Sequence, residues 1–175
     1  RGFAIGKAIK NRALYNWIVS IREKQGGKII APRNAIKEGL RALKSGAFLG
    51  IVGDQGMPGS GYSAPFFGRT AWTSPAPALL AYRTQSPLLF AETRRVKGGY
   101  ELRYSEPIWP NHEAPLEAEI PRLMGRLLSL LEESIRRAPG QWLWQHNRWK
   151  QEGAEIVYRR FRKDAIACLL PQDRS

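Results

Sequence analysis

The sequence predicts an α/β fold, a mostly parallel central sheet flanked by helices, and three observations carry that prediction. An apolar stretch at Lys28–Ala31, an amphipathic stretch opened by Asn34, and a second apolar stretch at Ala47–Val52 follow one another as strand, helix, strand. That order calls for a right-handed crossover and parallel pairing. The second strand, which reads as buried, stops at Gly53-Asp54-Gln55-Gly56. A carboxylate among glycines at the carboxyl end of a buried strand is where open α/β sheets place their chemistry. Finally, Glu119–Arg137 carries Ile120, Leu123, Met124, Leu127, Leu131 and Ile135 at helical spacing, a long amphipathic helix whose stripe belongs to the core.

Taken in order, Asn11 is placed to cap a helix whose Leu14, Trp17, Ile18 and Ile21 fall at i, i+3, i+4 and i+7, and Gly26-Gly27 ends it. Asn34 caps the next helix, with Ile36, Leu40 and Leu43 on one face and a stop near Gly46. Beyond Gly56 a Gly- and Ser-rich loop leads to Phe66-Phe67-Gly68, and Pro75 opens a short helix over Ala76–Thr84. Pro87–Thr93 and Tyr100–Tyr104 read as strands around a hairpin turn at Lys97-Gly98-Gly99, and Trp109–Pro115 reads as a loop. Pro139-Gly140 breaks the long helix before a tryptophan block, in which Trp142, Trp144, His146 and Arg148 share one face if the segment is extended. No repeat, low-complexity tract or linker divides the chain. Residues 1–175 therefore read as a single domain with a basic tail over 151–175.

Composition narrows the partners. Hydrophobic residues make up 43% of the chain, with six each of Trp, Tyr and Phe, enough to fill a core and exclude global disorder. The net charge of +13 seeks polyanions: nucleic acid, anionic lipid or an acidic carrier protein. The one cysteine, Cys168, excludes an internal disulfide and fits a reducing compartment. Two histidines without a ligand cluster imply no metal. No apolar run reaches the length of a membrane span, and no signal peptide is visible. The chain opens on Arg1 instead of methionine and reads as part of a longer one.

Three spaced blocks, GAFLGIVGDQ (46–55), GYSAPFFGRTAWTSPAPALLA (61–81) and PGQWLWQHNRWK (139–150), carry a resemblance. Together they resemble the bacterial lipid A biosynthesis acyltransferases, the lauroyl and myristoyl transferases that add secondary acyl chains. The family pattern has an aspartate after a buried strand, Phe-Phe-Gly, a Thr-Pro-like step into a helix, and a terminal Trp-x-Trp-x-His-x-Arg-Trp-Lys block. The likeness covers about Lys10 to Lys150. It implies a glycerolipid-acyltransferase-like fold and an enzyme at the cytoplasmic face of the bacterial inner membrane. The reaction implied moves a fatty acyl chain from an acyl carrier protein (or coenzyme A) thioester to a hydroxyl of a lipid A precursor, in lipopolysaccharide biosynthesis. The implied partners are the acidic acyl carrier protein, an anionic glycolipid acceptor and the membrane surface; no cofactor is implied beyond the donor. A near alternative is a related glycolipid acyltransferase of the phosphatidylinositol mannoside type. From another class, charge plus aromatics suggests a nucleic-acid-binding module. Against it, the tryptophans cluster in one terminal block and no groove-reading or stacking motif is present, so no nucleic-acid partner is expected.

The resemblance also implies a His-x4-Asp/Glu motif, whose imidazole takes the acceptor's proton while the carboxylate orients it. It is expected upstream of Arg1, and the 175-residue chain alone is expected to be inactive. His112 to Glu117 matches the same string, but it follows the aspartate block, and Pro115 interrupts any regular geometry between the two side chains. Arg22 is either a cation favourably placed at a helix C-terminus or, as the resemblance implies, a site residue holding a phosphate. Asp54 makes an Asx-turn in a solvated loop or, matching the family aspartate, orients a cation or backbone donor in the cleft. Phe66, Phe67 and Gly68 pack as core or, with Ala64 and Pro65, line an acyl channel. Gln55 and Arg148 join them as expected substrate-binding residues, and His146 reads as structural or substrate-lining. The tail cations Arg159, Arg160, Arg162 and Lys163 form a solvated face or a bilayer contact.

Overall fold

The computed structural model describes residues 1–57 and 62–149. Most of the Gly- and Ser-rich loop (58–61), Lys150 and the basic tail lie outside the described residues. In chain order the elements are β1 (Gly2–Ile5), α1 (Arg12–Lys24), β2 (Gly27–Ile30), α2 (Ala35–Lys44) and β3 (Phe48–Gly50). They are followed by β4 (Tyr62–Phe66), β5 (Arg69–Thr73), α3 (Ala76–Thr84), β6 (Ala91–Val96), β7 (Gly99–Tyr104) and α4 (Leu116–Arg137).

The parallel sheet exists and is small. Its order is β2-β1-β3, all parallel, while the other four named strands form two antiparallel hairpins. The strand-helix-strand unit around α2 is present, but its two strands are not neighbours. β1 lies between them and was not foreseen, because GFAI is too short a signal at a chain end. The path leaves β1 for one side and returns past it to the other. Right-handed crossovers then put α1 and α2 on opposite faces, and α2 touches all three strands.

The first two helices depart from their expected faces. Asn11 caps α1 as expected: its Oδ1 accepts from the Leu14 N–H at 3.0 Å. Yet α1 buries no residue, and Leu14, Trp17 and Ile21 are exposed; the half-buried positions are Tyr15, Ile18 and Val19, rotated from the expected stripe. Asn34 does not cap α2. A 3-10 turn at Pro32–Asn34 precedes the helix, and the Asn34 side chain donates to Glu38 Oε1 at 2.7 Å instead. The most buried face of α2 is Ala35, Gly39 and Ala42, with Ile36, Leu40 and Leu43 half-buried beside it. A Cβ on Gly39 would stand 3.0 Å from Leu49 Cδ2 and 3.4 Å from two Leu80 methyls, so α2 sits close against β3 and α3.

The strand expected over Ala47–Val52 is shorter and not buried. β3 spans three residues, pairs with β1 alone among the described strands, and leaves Phe48 77% exposed. α3 matches its expected span and buries Ala78 to Ala81 in succession, as a helix packed between α2 and α4 must. α4 starts at Leu116, earlier than expected, and buries Ile120, Leu123, Met124, Leu128 and Ile135. One core joins α3, α4 and Ile108; a second joins Leu128 and Ile135 to Ala64, Phe66 and Ala71 of the β4–β5 hairpin. The second hairpin turns at Lys97-Gly98 with Gly98 at φ +86°, but its first strand is Ala91–Val96, and Leu88 forms a separate bridge to Ile108.

Around the motifs one turn was not foreseen and one expectation fails. The Phe66-Phe67-Gly68 segment is a tight hairpin: Phe67 (φ +51°) and Gly68 (φ +74°) form a two-residue turn with both residues left-handed, the type I′ pattern that matches strand twist. The tryptophan block is not extended. Pro139–Gln141 is a 3-10 turn, and local bonds such as His146 N–H to the Leu143 carbonyl coil the rest. Trp144 is therefore exposed while Arg148 is buried, so the four residues do not share one face.

Candidate functional site

The chain leaves β3 at Gly50 and enters the loop holding Asp54, Gln55 and Gly56. Such a loop has no ladder to satisfy its backbone, so its polar groups need partners from elsewhere. The terminal block supplies them. His146 Nε2 accepts from the Gly56 N–H at 2.9 Å, and Arg148 Nη1 donates to the Gln55 carbonyl at 2.7 Å. The same Nη1 donates a short bond to the Trp72 carbonyl of β5, and the Met57 N–H donates to that carbonyl at 3.1 Å. Gly56 lies directly against both side chains: a Cβ there would stand 3.6 Å from Arg148 Nη1 and 3.7 Å from His146 Nε2. The loop, the hairpin and the terminal block thus meet at one point.

Around this clasp the aromatics pack as a unit. Phe66 is fully enclosed, its ring 4.9 Å from Phe67, 6.0 Å from Trp142 and 5.7 Å from Trp149, with the Arg148 guanidinium 5.4 Å over its face. Trp149 Nε1 donates to the Phe66 carbonyl at 3.2 Å. Phe67 is half-buried, covered by the Arg136 guanidinium at 4.8 Å, and its N–H donates to Glu132 Oε1 at 2.7 Å. Phe66 therefore has core contacts on all sides, while Phe67 and the exposed Leu143 and Trp144 retain surface. Gly68 is exposed in the turn, and nothing lies within 4 Å of a Cβ built on it.

The electrostatics centre on two opposite charges. Arg148 is only 2% exposed; burial pushes its guanidinium below the ordinary value, and the Asp54 charge works against that shift. Only Nη1 of the guanidinium is used. Among the described residues, its Nε and Nη2, together with Asp54 Oδ1, are buried polar atoms without a hydrogen-bond partner. A buried cation beside a buried carboxylate oxygen, both with spare capacity, is costly unless the pair serves one another or a ligand.

The remaining candidates fall elsewhere. Arg22 is exposed in the last turn of α1 and forms no hydrogen bond or ion pair with Asp54. The Gln55 residue is exposed, and its carbonyl is the Arg148 acceptor. His112 is exposed in its loop, 5.1 Å from the Tyr82 ring, with no hydrogen bond to Glu117. A cavity of about 540 Å³ opens between α4 and residues 106–109, lined by Trp109, Arg122, Arg126 and Ser129 among others. No clasp residue lines it. The unpaired buried charges, not the open volume, mark the Asp54 loop as the candidate site.

Sequence reasoning did not find the bond between His146 and Gly56, nor the role of the Gln55 and Trp72 carbonyls. The contacts span 90 and 93 residues, and no local spacing encodes them. The only local signal was an unusual concentration of Trp, His and Arg in the terminal block.

The sequence model of the family described as bacterial lipid A biosynthesis acyltransferase matches residues 2–151. No curated protein matches the chain.

Proposed function

The chain belongs to the bacterial lipid A biosynthesis acyltransferase family, and from that premise we propose that it serves in moving a fatty acyl chain from an acyl carrier protein (or coenzyme A) thioester to a hydroxyl of a lipid A precursor. The observation that carries this reading is the Asp54 carboxylate, held in a loop at the carboxyl end of a parallel strand, with a buried, unpaired oxygen beside the buried Arg148 cation.

Acyl transfer to a hydroxyl needs a base, donors for the developing oxyanion and cations for phosphate. The base and its orienting carboxylate are assigned to the His-x4-Asp/Glu motif that the family resemblance implies. Alongside them, Asp54 orients a donor or cation in the cleft, and Arg22 holds a phosphate of acceptor or donor. Gln55 borders the bound substrates, and Arg148, 2% exposed, stands behind it. Phe67, backed by the enclosed Phe66 and turned outward at Gly68, forms the apolar wall, worth about 0.8 kcal/mol per methylene covered. The +13 charge suits an acidic carrier protein and an anionic glycolipid at the inner face of the inner membrane.

The test is transfer of a radiolabelled acyl group from acyl carrier protein to an underacylated lipid A precursor by the intact enzyme, with a phosphatidylinositol mannoside as competing acceptor. Asp54→Ala and Arg22→Ala should each lower turnover by about 10²-fold, the loss expected for misplaced reactants or a lost donor, with the thermal midpoint retained. A folded Asp54→Ala enzyme at wild-type rate would remove Asp54 from the site. Labelling of the mannoside alone would replace the acceptor.

A further inference from the structure

We infer that His146 and Arg148 are positioning residues: they fix the backbone of the Asp54 loop and thereby aim the Asp54 carboxylate, without themselves reacting. The inference rests on the reading above that Asp54 acts in acyl transfer, and it assigns the terminal block a task in that reaction.

The geometry limits what each side chain can do. His146 accepts from the Gly56 N–H through Nε2. That lone pair is committed, so Nε2 cannot take a proton from an acceptor hydroxyl while the bond stands. Arg148 reaches past its own element to two backbone carbonyls, Gln55 in the loop and Trp72 in β5. It thereby ties the loop to the rigid β4–β5 hairpin, whose Phe66 carbonyl is held in turn by Trp149. The residue on the far side of Gln55 and Gly56 from these bonds is Asp54, whose Oδ1 is buried and unpaired.

The Gln55–Gly56 peptide group is anchored through both its carbonyl and its N–H, and holding it one residue after Asp54 restricts the backbone that sets where the carboxylate points. The Asp54 charge in turn favours the charged form of the buried Arg148 guanidinium, against the effect of its burial. Asp54 sits on a loop, and loops hold a functional side chain less well than strands or helices unless a surrounding shell locks them. His146 and Arg148 are that shell.

A residue acting through another leaves a kinetic signature. In the intact enzyme, His146→Ala and Arg148→Lys should each lower kcat by about 10²-fold, as a misplacement of about 1 Å does, with the KM of both substrates changed less than about threefold. His146→Gln keeps an acceptor near the position of Nε2 and should recover most of the kcat lost in His146→Ala. The decisive variant joins His146→Ala to Asp54→Ala: if the clasp works through Asp54, the double variant is no slower than Asp54→Ala alone. Amide exchange at Gly56 should speed up in His146→Ala and be slow again in His146→Gln. Losses that multiply in the double variant, or a His146→Ala enzyme of wild-type kcat, would overturn the inference while leaving the function of Asp54 standing. A fully active Asp54→Ala would instead overturn the reading beneath it. If Arg148→Lys does not fold, the His146 series alone decides the matter.

Discussion

At the scale of single residues, buried charges decide what the chain can tolerate, and Glu119 is the second such case. It is 1% exposed, and its carboxylate accepts from Arg122 Nε at 2.8 Å, Arg122 Nη2 at 2.6 Å and the Asn111 N–H at 2.8 Å. Arg122 also donates to the Trp109 carbonyl, so this one pair pins the loop before α4 to the helix. The Arg122 hydrogen bonds hold the Glu119 carboxyl below its usual value, more than offsetting its burial. The unfolded chain then takes up this proton before the folded one does. The stabilisation is whole at neutral pH, declines below the unfolded value of about 4.3 and is gone once pH passes the folded value. Glu119→Gln should cost about 1–2 kcal/mol at pH 7, less than a fully buried pair because Arg122 is half exposed. Urea midpoints of the two proteins, taken at pH 7 and pH 3.5, should converge at the lower pH. Asp54 and Arg148 were legible in the sequence as candidates because they stand in distinctive strings. Glu119 was not, because it read only as the first residue of an amphipathic helix.

At the scale of elements, two glycines test two different constraints with the same substitution. Gly39→Ala adds helix propensity of up to about 1 kcal/mol but drives a methyl to 3.0 Å from Leu49. Overpacking of this kind costs about 1–3 kcal/mol, so the net effect should be destabilising, with α2 pushed off β3. Gly68→Ala meets no atom within 4 Å, yet its φ of +74° should cost about 1–2 kcal/mol through the backbone alone. Chemical denaturation of both variants separates the mechanisms, since a second substitution trimming Leu49 to Val should rescue Gly39→Ala and leave Gly68→Ala unchanged. Helices were legible where period and caps coincide, as in α3 and the Asn11 cap of α1. The rotation of α1 was not, because its apolar stripe is wider than the part the sheet covers. The β4–β5 hairpin was missed because its turn uses Phe67 where Asn or Gly is the usual left-handed residue.

At the scale of the whole molecule, charge and connectivity matter more than any one contact. Among the described residues no helix is long and apolar enough to cross a membrane. The net charge of +13 should instead give salt-dependent binding to anionic vesicles, which weakens as the Debye length falls from about 30 Å at 0.01 M to about 10 Å at 0.1 M salt. Co-sedimentation with phosphatidylglycerol vesicles should show this, and replacing Arg159, Arg160, Arg162 and Lys163 by Gln should reduce it. Equal binding to neutral vesicles at every salt concentration would assign it to apolar contact instead. The parallel sheet was foreseen from one crossover, whereas its central strand was not, since β1 gains its place only from partners on both sides.

The clasp also has a meaning in time. His146 leaves the ribosome 90 residues after Gly56. At about 5–20 residues per second, the Asp54 loop waits roughly 5–20 s during synthesis before its anchor exists. Until then the nascent chain can have its aspartate in place on the sequence and still lack the means to aim it. The site is therefore completed only after residue 146 has emerged, and a ribosome that stops short of it releases an unclasped one.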